Sequence, residues 1–107
     1  MYAFTQDVPI DAAMYARIVA GLGDEPPAGL ISHLAYELPE GGLRYVDVWD
    51  SESDWDRFAD ERLHPVVHPI LAELFGDDLP PEPARIAIRA IDQWGPVGRR
   101  GDAQTAT

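Results

Sequence analysis

The chain has 107 residues, 46% of them hydrophobic, and a formal net charge of −11 from 19 acidic and 8 basic residues. That length supports one hydrophobic core and excludes two ordinary domains. The acidic balance repels phosphate backbones and argues against nucleic-acid binding, while the absence of cysteine excludes disulfides, thiolate nucleophiles and Cys-type metal sites.

Residues 2–8 alternate, with Tyr2, Phe4, Gln6 and Val8 on one face, and predict a first strand. Pro9 ends it, Asp11 is a good N-cap, and Ile10 with Tyr15 has the spacing of a hydrophobic staple. A helix is expected over Ala12–Leu22, with Met14, Ile18, Val19 and Leu22 as its apolar stripe and Gly23 as its stop. After a Gly/Pro loop, residues 29–38 and 43–49 read as two strands of a hairpin joined by Pro39-Glu40-Gly41-Gly42. Ser51 caps a second helix in which Trp55, Phe58, Ala59 and Leu63 face inward, and Arg57 with Glu61 forms an i,i+4 pair.

Pro65 disfavours helical backbone at His64, so a break or kink is expected there. A further helical stretch runs from Pro65 to Phe75 and is capped by Gly76. A proline-rich linker covers 77–83, and a fourth strand is expected over 84–92. Residues 1–94 read as the folded domain and 95–107 as a tail.

The order βαββαβ predicts an α+β, ferredoxin-like fold: a four-stranded antiparallel sheet with both helices on one face. Apolar residues lie on both faces of the predicted third and fourth strands, Leu43, Tyr45 and Trp49 against Val46 and Val48, and Ala87 and Ile91 against Ile86, Ile88 and Ala90. One chain has helix enough for one face only. A second copy of the chain is therefore expected to cover the other, giving a homodimer. Apolar runs are far shorter than a membrane span, and the N-terminal residues do not have the pattern of a signal peptide, so a cytoplasmic protein without membrane contact is expected.

The stretch GLRYVDVWDSESDWDRFADERLHP, residues 42–65, resembles the dimeric α/β barrel superfamily, most closely its antibiotic-biosynthesis-monooxygenase-type members. The shared pattern is a strand ending in an aromatic, an acidic-Ser cap, an amphipathic helix and a His late in that helix. The resemblance spans roughly residues 1–93. It implies a homodimeric α/β barrel with a pocket in each subunit between sheet and helices. It further implies a cofactor-independent oxygenase acting on aromatic or polyketide-type compounds, in which the substrate anion itself reduces O₂. The alternative is a non-catalytic homodimeric ligand-binding or assembly module.

The residues that fit such a pocket are His64 as catalytic base, with His33, Tyr36, Tyr45, Asp47, Trp49 and Trp55 as contacts to a small aromatic molecule. An imidazole suits removal of a phenolic proton near neutrality. Tyr and Trp pair an aromatic face with one polar tip. Asp60, His64 and His68 have helical i, i+4, i+8 spacing, but Pro65 interrupts the helix that would align them, so no metal site is expected. The haem-degrading branch of the same superfamily pairs a first-strand Asn with a helical Trp and an axial His; here Gln6 or Asp7, Phe58 and His68 stand nearest those places. No cofactor is expected. Arg85 and Arg89 are candidates for an anionic group, against the commoner fate of pairing with surface carboxylates.

Overall fold

A computed structural model describes residues 1–101 of the chain. Its elements are β1 (Tyr2–Val8), α1 (Ala12–Leu22), β2 (Leu30–Glu37), β3 (Leu43–Trp49), α2 (Glu52–Phe58), a π-helical segment (Ala59–Leu63), α3 (His64–Phe75) and β4 (Arg85–Ile88), followed by the short strands β5 (Gln93–Gly95) and β6 (Gly98–Arg100). The first four strands form one antiparallel sheet in the order β2-β3-β1-β4. The α+β arrangement is consistent with the expected ferredoxin-like fold.

Local chemistry explains most element boundaries. Asp11 accepts the Met14 amide at 2.8 Å, and Ser51 accepts the Asp54 amide at 3.2 Å, each covering a donor that a helix start leaves unpaired. The β2–β3 turn closes through Leu38–Gly42 and Gly41–Leu38 backbone bonds of 3.0 Å. Gly41 and Gly42 have φ of 102° and 81°, a conformation that side-chain-bearing residues rarely adopt. Arg57 pairs with Asp54 one turn before it, at 2.6 Å, rather than with Glu61. An acid N-terminal to a base is the better order on a helix.

The pleat assigns the faces. Register pairs Tyr2 with Trp49, Phe4 with Asp47 and Gln6 with Tyr45, then Asp47 with His33 on β2, and Phe4 with Ala87 on β4. These residues share the face that α1 and α2 cover. Phe4, Trp49, Trp55 and Ala59 form the core there, joined by Tyr2, Leu30 and Phe58. Phe4 and Trp49 are each 1% exposed. Burial on that scale is worth about 1.5–3 kcal/mol for a side chain of Phe size.

The opposite face carries no helix. It presents Leu34 at 59% exposure, Ile86 at 63% and Ile88 at 41%, together with Tyr36. Val19, expected in the inward stripe of α1, is also exposed, while Ile18 is the buried residue of that helix.

Three expectations are corrected. The helix does not break at His64, whose φ of −60° and ψ of −40° are helical. The disturbance takes the form of a π segment just ahead of Pro65, in which the His64 amide reaches the Ala59 carbonyl five residues back. A proline ring collides with the carbonyl four residues earlier in an α-helix, and widening the turn before it relieves that collision. β4 ends at Ile88 rather than at residue 92, its ladder with β1 running from Ala3 to Gln6. Residues 93–100, largely read as tail, form the β5–β6 hairpin, tied back by an Arg100–Asp50 ion pair of 2.5 Å and decorated by Arg99 over the Trp94 ring at 4.0 Å.

Candidate functional site

The helix-covered face brings four polar groups into one chain. Asp47, on the central strand β3, is 5% exposed. Its Oδ1 lies 2.5 Å from His33 Nδ1, and its Oδ2 accepts the Trp49 indole N–H at 3.1 Å. His33 Nε2 lies 2.8 Å from the Tyr15 hydroxyl. A carboxylate only accepts, so Nδ1 carries the imidazole proton and donates it to Asp47. Nε2 is then the acceptor, and the Tyr15 hydroxyl donates to it. The result is a directed relay, Tyr15 to His33 to Asp47, with Asp47 held from its other side by Trp49.

Each member sits there for a local reason. His33 and Asp47 are directly opposed in the β2–β3 register, which places their side chains on one face at close range. Trp49 is two residues beyond Asp47 and therefore on the same side of β3. Tyr15 comes down from α1, one turn ahead of buried Ile18. Rings flank the imidazole: the Tyr15 ring lies beside it, nearly parallel at 9° with centroids 6.2 Å apart, and Tyr45 meets it edge-on at 5.1 Å between centroids. The His33 side chain is 30% exposed on an edge strand, so the relay ends at solvent rather than inside the core.

Burial raises the Tyr45 hydroxyl well above its ordinary range, with Tyr15 and Asp47 adding to the effect. Burial raises Tyr15 as well, and the Asp47 charge adds to it. Tyr15 therefore acts as a neutral hydrogen-bond donor toward His33 across the physiological range.

Of the residues read as site candidates, His33, Tyr45, Asp47 and Trp49 come together. Tyr36 does not. It lies on the helix-free face, where Arg44 reaches its hydroxyl at 3.4 Å while gripping Asp7 at 2.6 Å and 3.0 Å. The Arg44 hydrogen bond holds the Asp7 carboxyl below its usual range. Trp55 is a core residue, edge-on to Phe4 at 5.8 Å. His64, read as the catalytic base, faces Glu82 at 3.4 Å and Asp60 at 3.9 Å and stacks on His68 at 4.9 Å. It makes no contact with the relay among the described residues. No group of three or more metal-ligating side chains converges among the described residues.

The sequence places Tyr15 only as the staple partner of Ile10 and not beside His33. The signal was present: Tyr15, Ile18 and Leu22 share one face of α1, and a phenol on an inward stripe needs a polar partner.

Concavities lie elsewhere. A cleft of about 580 Å³ opens between the end of β1 and the β2–β3 turn, lined by Asp7, Pro9, Asp11, Leu38 and Gly42 among others. A notch of about 230 Å³ lies by Pro26, Asp54, Arg57 and Arg62. The space between sheet and helices is occupied by Phe4, Trp49 and Trp55. No helix among the described residues is long and apolar enough to cross a membrane. Comparison with protein-family models, curated proteins and solved structures gave no match.

Proposed function

We propose that the protein is a homodimeric, ferredoxin-like α/β barrel that handles a small aromatic compound by acid–base chemistry at Tyr15, His33 and Asp47. The relay carries this reading. A phenolic ligand taking the place of the Tyr15 hydroxyl would give its proton to His33 Nε2, and the buried Asp47 carboxylate would stabilise the imidazolium that forms. An electron-rich phenolate is the species that a cofactor-independent oxygenase needs, and the resemblance of residues 42–65 to the monooxygenase-type barrels supports that outcome. The base is then His33, not His64.

The dimer rests on the helix-free face. Leu34, Ile86 and Ile88 form an apolar surface on a sheet whose other side packs against the helices, and a second copy facing it would bury the same residues in return. A stable interface needs above roughly 1,000 Å² in total. Light scattering at micromolar concentration should give twice the chain mass, and Ile86→Glu should give the chain mass with secondary structure retained. A monomeric wild type would rule the barrel out.

The second reading, an assembly or ligand-binding module without catalysis, is favoured by the filled space around Phe4, Trp49 and Trp55. Turnover of phenols and anthrones under O₂ separates the two. His33→Ala should lower turnover by roughly a hundredfold or more while the dimer persists. Equal rates for His33→Ala and wild type, or no turnover across the panel, would leave the module reading.

A further inference from the structure

From a second place on the helix-covered face we infer that Arg85, backed by Trp55, is a recognition site for a carboxylate group of a small ligand. Arg85 lies on β4, an edge strand, two residues before Ala87 and opposite Gln6. Its guanidinium sits over the Trp55 ring at 3.6 Å from the centroid, with the Phe4 and Tyr2 rings at 5.7 and 5.8 Å. One of its N–H groups donates to the Tyr2 hydroxyl at 2.8 Å. A guanidinium has five N–H donors, so the planar fork keeps others to give.

The charge pattern singles this arginine out. Arg17, Arg44, Arg57, Arg99 and Arg100 each pair with a carboxylate, and Arg62 serves the Leu22 and Glu25 carbonyls. Arg85 is half-buried, in a chain with 19 acids, and forms no ion pair among the described residues. Glu52, Asp56 and Asp47 act on the neighbouring Tyr2 hydroxyl through space, yet none of them closes on the guanidinium. A partly buried cation held 3.6 Å from an indole centroid and tied to the Tyr2 hydroxyl is positioned in advance, and its fork matches the two oxygens of a carboxylate.

The occupant comes from outside the dimer. Arg85 faces α2, whereas the partner copy would meet Ile86 and Ile88 on the opposite side of the same strand. Three local acids and the overall negative charge disfavour a phosphate dianion relative to a carboxylate monoanion.

Benzoate titrated into the full chain at constant ionic strength, followed by tryptophan emission and calorimetry, tests the site. Wild type should bind saturably. Arg85→Gln should bind at least about tenfold more weakly, the loss of one charge-assisted contact. Arg85→Lys, which keeps the charge and loses the fork, should also weaken binding and decides the matter if Arg85→Gln fails to fold by circular dichroism. Equal affinity in wild type and a folded variant, no saturable binding by wild type, or tighter binding of inorganic phosphate than of benzoate would overturn the assignment.

Discussion

Asp47 and Tyr45 show how one strand sets the charge state of its surroundings. Asp47 is buried with both oxygens engaged, by His33 and by Trp49, so its removal strands two donors at once. Tyr45, between Leu43 and Asp47 on the same face, keeps its proton far into alkali, and burial pushes Tyr2 and Tyr15 the same way. An unfolded chain releases phenolic protons near the ordinary value of 10.0 while the folded chain retains them. The folded state then binds more protons, and stability, fully present below that value, falls as pH rises through the raised folded values. The urea midpoint should be lower at about pH 11 than at about pH 8, and Tyr45→Phe should flatten the difference. An unchanged midpoint in wild type would contradict the burial of these hydroxyls.

At the scale of elements, α2 depends on the residue that caps it. Ser51 receives the Asp54 amide and in turn donates to the Asp54 carboxylate at 2.8 Å, and α2 carries Trp55 into the core. Ser51→Ala should cost about 1 kcal/mol, visible as a lower midpoint with an unchanged denaturant slope. This cap, the α1 boundaries and the face assignments of β1 and β3 were all legible in the sequence, because capping residues and a period of two are local signals. The relay was not, because it joins α1, β2 and β3. The β2–β3 pairing also carries an irregularity between Leu30 and Ser32, and a shift of one residue would have sent His33 to the other face. The role given to His64 came from its place late in the helix and from a break expected before Pro65; the chain instead stays helical there, through a π turn. The β5–β6 hairpin was signalled by Gly95-Pro96-Val97-Gly98, a turn sequence, but its strands are only three residues each, too short for alternation to register.

On the scale of the molecule, charge and apolar surface pull in opposite directions. A net charge of −11 repels itself, while the exposed ion pairs contribute little each. Added salt therefore screens more repulsion than attraction. Moving from ~0.01 M to ~0.15 M sodium chloride shortens the screening length from ~30 Å to ~8 Å, and the melting temperature should rise by roughly a few degrees. A fall on adding salt would mean that the Arg44–Asp7 and Arg17–Glu73 pairs outweigh the net field.

The strand order has a consequence for how variants combine. β2 and β4 are opposite edges of the four-stranded sheet, so His33 and Arg85 stand three strand spacings apart, about 14 Å. The buried Phe4 and Trp49 lie between them, and the two side chains share no partner among the described residues. A library of substitutions at the two positions should therefore show no epistasis in folding: the stability lost by a His33→Ala, Arg85→Gln double variant should equal the sum of the single losses within about 0.5 kcal/mol. Evolution could then retune one edge of the sheet without disturbing the fold's tolerance for change at the other.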